Sequence, residues 1–468
     1  MNGNLQNQGE IIEVKNGECL IISYKQKDLN YKVLQLDLLE GQAEIFGREM
    51  VLNKKYIYNK DTELMIFTWK GCKIQANQPK ELLKPLVVDG LMESQVLVAN
   101  VSLYLNELRT NALQNLSIGP RVLVTNKDYM GSQIVLKNLV NYGCKLGWTP
   151  ILVDIDWQQN YFMPQGCMTA IQIKNGIPEF SISHQQKITL FSGICSNLQS
   201  YRELYKKQIT KLGQLVLKKL ETELNKYKDD NYLSQNQLQY KDIFRNDKKT
   251  NFASGLIMTL SSSLYQDQDI LNHVIKSFNI DIYIPQKNDL QIKQNLKDQE
   301  NIKILRIETI IDQQRNNEQE NNESIQQYFN ENIALQKFNI QDLHIYYFQE
   351  YTDSQQNKQV RAIKWIPEQN QRIEKKILGV LHQKVKFEQN ANNLGKQNMY
   401  TEQDNLIMDQ SENEFHESLI NSPLYCLVHI EKFDKDIIEL YVPFEKQELI
   451  SDISNHYFII GDINWSGR

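Results

Sequence analysis

Two short apolar runs, Val122–Thr125 and ILVDID at 151–156, do most to limit what this chain can fold into. Each is continuous rather than alternating, so each suits a strand covered on both faces. Between them, Ile134–Tyr142 reads as a helix, and Gly143 suits its C′ position. A strand, a helix and a strand within about 35 residues make a βαβ unit, which commits this region to a parallel sheet.

The flanks have a different texture. Residues 10–102 break into short β-type runs separated by Gly and Asn: IIEVKNGECLIISY, YKVLQLDLLEG, QAEIFGREMVLN, YIYN and LMIFTWKGCKIQA. That pattern suggests a small β-sandwich. A polar helix-like segment, LYLNELRTNALQNLS, leads from it to the first apolar run. Residues 201–228 carry the strongest helical pattern, with Ile209, Leu212, Val216, Leu220 and Leu224 on one stripe. The lysines around that stripe read as a solvated face, with an RNA-facing track as the alternative. Asp229–Thr250 reads as a loop; GLIMTL (255–260) and IDIYIP (280–285) read as buried strands with a helix at 268–278 between them.

Two segments rich in Asn, Gln and Glu, 313–327 and about 386–414, lack the apolar residues to build a core and read as surface insertions. After about 336, strand patterns return in DLHIYYFQ, VRAIKWIP, KILGVLHQ, SPLYCLVHIEKF, DIIELYVPF and YFIIGDINW. A chain of 468 residues exceeds one ordinary core. The expected fold is therefore α/β: a central P-loop NTPase-like parallel sheet with helices on both faces (105–335), flanked by a β-sandwich-like N-terminal domain (1–104) and a β-rich C-terminal domain (336–468).

Net charge is −5, which argues against a strongly basic, nonspecific nucleic-acid binder. No run of about 18 apolar residues occurs, and MNGNLQNQGE lacks a basic-then-apolar leader, so no membrane role is expected. The six cysteines form no C-x-x-C pair and read as free thiols in a reducing compartment. The seven histidines show no metal-binding spacing.

The chemistry concentrates around VLVTNKDYMGSQ. A phosphate-binding P-loop follows G-x-x-x-x-G-K-[ST]. Its glycines let backbone N–H groups wrap the phosphates, its Lys neutralises them, and its hydroxyl ligates Mg²⁺. Aligned on Gly131, this chain places Asn126 at the first Gly, Ser132 at the Lys and Gln133 at the hydroxyl position. Asn tolerates a left-handed backbone, so the turn can still form. Ser132 is short and neutral, and Gln133 is a poor magnesium ligand. Lys127 could swing toward phosphate, or it is a solvated loop lysine beside Asp128.

Asp154 and Asp156 form the second constellation. On a strand, residues two apart face the same way. At the carboxyl end of a parallel strand they would lie beside the loop. One acid could hold Mg²⁺ and the other accept a proton from an attacking hydroxyl; the alternative is a polar strand end.

The strings LLEGQAEIFGREM (38–50), FTWKGCKIQ (67–75) and IGPRVLVTNKDYMGS…LVNYGCKLGWTPILVDIDWQQ (118–159) resemble the polynucleotide 5′-hydroxyl kinase family, and most closely its kinase-like subunits of mRNA cleavage and polyadenylation factors. The C-terminal strands fit that family's last domain. The resemblance implies ATP between the N-terminal domain and the core. It also implies a D-x-D-x-G-Q segment that holds Mg²⁺ and activates an RNA 5′-hydroxyl. Asp154, Asp156 and Gln159 match that segment, and Gln158 replaces its Gly. An adenine-side acid would fall at Glu18. The family's T-T-P-G-like clasp reads FSGICSNLQ (191–199), and its basic lid, near 311–322, holds only Arg315.

The resemblance thus sets a nucleotide site of Glu18, Asn126, Lys127, Asp128, Gly131, Ser132, Gln133 and Gln159, with Asp154 and Asp156 at the catalytic positions and Asp154 toward metal. Because loop, clasp and lid depart together, the expectation is a noncatalytic nuclear subunit of an mRNA 3′-end processing complex. It would be held by a scaffold subunit, meet RNA through the complex, and bind ATP and Mg²⁺ weakly or not at all. The alternative is an active ATP-dependent RNA 5′-hydroxyl kinase in mRNA 3′-end processing or tRNA splicing; a third is the same fold with a partner in tRNA splicing or ribosomal RNA processing.

Overall fold

The computed structural model describes residues 9–24, 33–58, 62–77, 91–125, 129–158, 160, 162–177, 187–196, 198–234, 251–260, 264, 267–285, 302–307, 324–326, 328–329, 333–366, 373–384, 413–434, 436–443 and 453–465. The N-terminal part contains β1 (Glu10–Val14), β2 (Cys19–Tyr24), β3 (Leu34–Gly41), β4 (Glu44–Ile45), β5 (Arg48–Glu49), β6 (Lys55–Tyr58), β7 (Thr62–Phe67) and β8 (Cys72–Ala76). Two four-stranded sheets, β1-β8-β3-β6 and β2-β7-β4-β5, form the expected sandwich. The run IIEVKNGECLIISY is two strands, split by a Lys15–Glu18 turn in which Gly17 has φ +78°. Alternation in β8, with Cys72, Ile74 and Ala76 buried, turns one side of that strand into the sandwich core.

The centre follows with α1 (Leu91–Gln114), β9 (Arg121–Val124), α2 (Tyr129–Lys145), β10 (Ile151–Asp154), β11 (Cys167–Gln172), β12 (Lys187–Phe191), α3 (Arg202–Ser234), α4 (Asn251–Ser254), β13 (Leu256–Thr259), α5 (Gln268–Phe278), β14 (Ile282–Ile284) and β15 (Lys303–Ile304). Strand order is β12-β11-β10-β13-β9-β14-β15. The strands β10, β13, β9, β14 and β15 are parallel, and β11 and β12 extend the sheet antiparallel. The βαβ unit is present, but β13 lies between its two strands. On α3, Ile209, Leu212, Val216 and Leu220 are fully buried, each contributing about 2 kcal/mol of burial. That helix runs past Asp229 to Ser234, where a loop was expected. The short helix expected at 268–278 is α5; Asp267 caps its start and Asn279, at φ 49°, ends it in the left-handed region.

Gly143 does not end its helix. The helix α2 continues to Lys145, and Gly147 (φ +84°) lies in the turn beyond it. Gly143 is small for another reason: a Cβ there would lie 2.9 Å from Nη1 of buried Arg109. Arg109 Nε donates to the Ser254 carbonyl that ends α4 (3.1 Å). Burial pushes its guanidinium pKa down to about 10.

The C-terminal part contains β16 (Ile333–Asn339), β17 (His344–Thr352), β18 (Lys358–Lys364), β19 (Lys376–Lys384), β20 (Leu424–Asp434), β21 (Ile437–Pro443) and β22 (His456–Asn464). They form one seven-stranded sheet, β16-β21-β20-β19-β22-β17-β18. All six strand runs read after residue 336 are strands, and β16 joins them at the sheet's edge. One apolar cluster fills its inner side, including Ile345, Leu378, Val428 and Phe458. Its other side merges with α3 and the central sheet in one continuous core that includes Leu204, Phe191, Phe348, Leu427 and Ile459. The six cysteines are free. Among the described residues, no helix is long and apolar enough to cross a membrane, and no group of three or more His, Cys, Asp or Glu side chains is gathered as a metal site. The Asn/Gln-rich insertions lie largely outside the described residues.

Candidate nucleotide site

The carboxyl ends of β9, β13 and β10 lie side by side, where parallel sheets place their ligands. Register puts Asp154 opposite Thr259 and Thr259 opposite Val124. Thr125, just past β9, shares a 2.8 Å hydrogen bond with the Tyr283 hydroxyl, tying the start of the loop to β14. Asn126, Lys127 and Asp128 lie outside the described residues. Gly131, Ser132 and Gln133 lie in the first turns of α2, and their side chains are not among the described parts. Gln159 is outside the described residues as well.

The two acids are placed in detail. Asp154 ends β10 with no exposed surface, and Asp156 is 2% exposed. Asp154 Oδ1 accepts the Asp156 backbone N–H (3.0 Å), and Asp156 Oδ1 accepts that of Gln158 (2.8 Å). Two successive Asx turns thus fix both carboxylates against the strand end. Asn160 continues the pattern: its Nδ2 donates to the Asp154 and Cys167 carbonyls at 3.2 Å each, and its Oδ1 accepts from Phe162 N and Met163 N. Tyr205 of α3 donates to the Ile155 carbonyl (2.7 Å) and meets the Trp157 ring edge-on at 4.8 Å. Burial, with the charges of Asp156 and Asp154, raises the Tyr205 pKa well above that of a free phenol. The acids therefore build the turn as well as furnish carboxylates.

Glu18 is not in a strand. It closes the turn before β2, its Oε2 accepting the Lys15 N–H at 2.9 Å. The N-terminal sandwich reaches the centre through another element. The two-residue turn Phe46–Gly47, with φ of 47° and 77°, joins β4 to β5 and lies on α2. Asn141 Nδ2 donates to the Phe46 carbonyl (2.7 Å), and the Tyr142 hydroxyl donates to Glu44 Oε2 (2.8 Å). Lys137 Nζ lies 4.4 Å over the Phe46 ring, and Ile134 enters the sandwich core. The string AEIFG is this docking hairpin.

The segment expected to act as a clasp is held by the C-terminal sheet. Gly193 (φ +73°) meets Gly461 of β22 so closely that a Cβ on Gly461 would lie 1.8 Å from the Gly193 carbonyl oxygen. Asp462 N donates to that carbonyl (2.9 Å). The Asp462 carboxylate accepts the N–H groups of Cys195 (2.9 Å) and Ser196 (3.1 Å) and the Ser196 hydroxyl. Burial, then Asp462, pushes the Cys195 thiol up to about 12. An acid thus occupies the anchor point of a loop that the resemblance assigns to an anionic RNA. The expected lid, with Arg315, lies outside the described residues.

Sequence reading missed Thr259, Thr125–Tyr283 and Asp462. The first two depend on strand order, and Asp462 is 267 residues from its partner. As donors for ATP and Mg²⁺, the acids suit a metal, while position 132 offers a neutral hydroxyl where the loop needs a cation and position 133 an amide where it needs a hydroxyl.

Comparison with known proteins gives a consistent pattern. Residues 21–112 match a family profile described as the N-terminal β-sandwich domain of polyadenylation factor. Residues 131–233 match the P-loop profile of the mRNA cleavage and polyadenylation factor CLP1. Similar curated proteins include the Protein CLP1 homolog of Nematostella vectensis, 30% identical over 187 residues (39% of this chain, 42% of the relative). Polyribonucleotide 5′-hydroxyl-kinase Clp1 of Danio rerio is 34% identical over 155 residues (32% and 34%), and that of Homo sapiens 32% over 155 (32% and 36%). These alignments span well under half the length of each relative. A solved Clp1p–Pcf11p complex matches 98% of this chain and 99% of that one with a TM-score of 0.70 and 15% identity, a likeness of fold.

Proposed function

Because this chain belongs to the CLP1 family, through its N-terminal β-sandwich and P-loop domains, we propose that it is a noncatalytic, pseudokinase-like subunit of a nuclear mRNA 3′-end cleavage and polyadenylation complex. The observation that carries this reading is Ser132–Gln133 at the Lys and hydroxyl positions of the loop. A phosphate contact from a positioned charge is worth roughly 3–4 kcal/mol, or 10²–10³ in rate. Losing it together with the magnesium hydroxyl removes measurable turnover. The Asp462 anchor supports the same reading, because it commits the clasp segment to holding two domains together. The working division is 1–104, 105–335 and 336–468, with the central and C-terminal domains as the bridging body that a scaffold subunit of the cleavage and polyadenylation factor holds. RNA is met through that complex.

Calorimetry with ATP and Mg²⁺ tests the loop. The wild-type chain is expected to bind weakly or not at all, and Ser132→Lys with Gln133→Thr to gain affinity because Asn126 and Gly131 still permit a phosphate-wrapping turn. No gain in a folded double variant would mean that the cradle itself is absent. A second reading, an active RNA 5′-hydroxyl kinase using Lys127, draws on the buried pair Asp154 and Asp156. It requires phosphate transfer that Asp154→Asn abolishes.

A further inference from the structure

The C-terminal sheet ends in two edges of unlike character. One edge, β18, reads KQVRAIK, and its cations are the kind of side chain that keeps an open edge from pairing with another chain. The other edge, β16, reads IALQKFN. Its one cation, Lys337, is neutralised by Glu439 of the neighbouring β21 at 2.8 Å. Leu335 is 44% exposed, and Ile437, across the ladder from Asn339, is 51% exposed. Ala334, Gln336 and Phe338 stand on the other face, opposite Val442, Leu440 and Ile438 of the inner apolar cluster. All three are half-buried, so that cluster is incompletely covered at this edge. The backbone phase follows from one bond: Ile340 N donates to the Asp436 carbonyl (2.7 Å), in the same register as the β16–β21 ladder. Even-numbered residues of β16 therefore bond to β21, and Ile333, Leu335, Lys337 and Asn339 turn their N–H and C=O groups away from the sheet. Among the described residues, no strand pairs with that side.

The strand is complementary to itself. Antiparallel pairing of β16 with its own copy, about a two-fold axis at Gln336, overlaps all 7 residues and uses every outward backbone group. Ala334 then faces the partner's Phe338, a small side chain beside a large one, and both pairs extend the cover of the apolar clusters. Gln336 faces the partner's Gln336, where two amides exchange hydrogen bonds. Leu335 faces the partner's Lys337, whose charge Glu439 already meets. Sliding the register one way sets Lys337 against the partner's Lys337, a like-charge pair; sliding it the other way carries Phe338 and Asn339 beyond the overlap. We propose that β16 is a dimerisation edge, at which two copies of this chain join their C-terminal sheets into one. The contact is isologous, and its axis is normal to the sheet, so both central domains lie on the same side of the joined sheet. It involves neither the loop after β9 nor Asp154 and Asp156, so it stands or falls independently of the function proposed above.

Sedimentation velocity of the full chain over a concentration series, with thiol cross-linking, tests it. Wild-type protein passes from monomer to dimer as concentration rises. Leu335→Lys sets two like-charge pairs across the axis and weakens the dimer roughly ten-fold, whereas Leu335→Glu sets an acid against the partner's Lys337 and keeps it. Gln336 meets its copy in a non-hydrogen-bonded pair, with Cα atoms about 4.5 Å apart, inside the reach of a disulfide. Gln336→Cys therefore gives a covalent dimer under mild oxidant. Leu335→Cys does not, because its copies are diagonal neighbours about 7–8 Å apart, and wild type, with its six native thiols, does not either. Circular dichroism and the retained dimer of Leu335→Glu separate loss of contact from loss of fold. A wild-type chain that stays monomeric at every concentration overturns the proposal. So does a dimer that Leu335→Lys and Leu335→Glu affect equally, or cross-linking of Leu335→Cys as ready as that of Gln336→Cys.

Discussion

The central domain meets its two neighbours through seams of opposite kinds. Toward the N-terminal sandwich the described contacts are largely polar, Asn141 on Phe46, Tyr142 on Glu44 and Lys145 near Glu44 at 3.7 Å, with Ile134 of α2 and Leu91 at the start of α1 joining the sandwich core. Toward the C-terminal sheet there is no boundary in the core at all. A single apolar cluster runs from α3 and β12 into β17, β19, β20 and β22, and glycines at 193 and 461 bring backbones into contact. Polar contacts trade against water and contribute little net energy each, whereas buried apolar surface does not have that competitor. The centre and C-terminal sheet should therefore unfold as one unit, with the sandwich free to separate first. In a kinase-like arrangement, nucleotide would sit beneath the seam that can open.

The largest expected effect comes from Gly461→Val. Its Cβ would collide with the Gly193 carbonyl, and overpacking against backbone costs about 3 kcal/mol or more. Chemical denaturation should show the joint central and C-terminal transition shift while that of the sandwich stays in place. Two independent shifts, or a shift in the sandwich alone, would mean that the seams are assigned the wrong way round.

Acidification should act next, and on the C-terminal seam. His429 is fully buried, stacked on Tyr441 and edge-on to Trp465, with Nδ1 3.9 Å from Glu431 and Lys375 paired to that Glu431. Burial lowers its pKa from 6.5. In the unfolded chain it protonates first as pH falls, so its contribution is complete above about 6.5 and declines below that value. His429→Gln should flatten the loss of stability between about pH 7 and 5, read from denaturant midpoints; an unchanged slope would assign the loss to other groups.

Tyr142→Phe removes one hydrogen bond across the N-terminal seam and should cost about 1 kcal/mol. Hydrogen exchange should then quicken in β4–β5 and leave β22 unaffected. Smallest of all, Glu18→Gln weakens one exposed turn contact and should change stability by no more than about 0.5 kcal/mol. A marked effect on nucleotide binding instead would assign Glu18 to the adenine.

What the residues disclosed beforehand follows the same divide. Elements with clean periodicity, α3, α5, β9, β10 and the strands from β17 to β22, were legible because burial on one face or both leaves its mark locally. The first turns of α1 were not, because apolar residues surround it: Val96, Leu97 and Leu103 remain exposed while Val98, Val101 and Leu105 are buried. Gly143 was misread as a cap because its real constraint, the Arg109 guanidinium, arrives from another helix. At the site, Asp154 and Asp156 were legible as a pair, but the Asx turns that employ them were not. The use of FSGICSN as a domain anchor needed Asp462, which only the assembled fold brings near.

We propose that Ser132 and Gln133 leave the loop after β9 without the cation and the hydroxyl that phosphoryl transfer needs. Transfer of labelled phosphate from ATP to a 5′-hydroxyl RNA, with the purified full chain and Mg²⁺, tests it most directly. No transfer above background, in wild type and Asp154→Asn alike, is the predicted result. Robust transfer by the wild type that Asp154→Asn abolishes would contradict it.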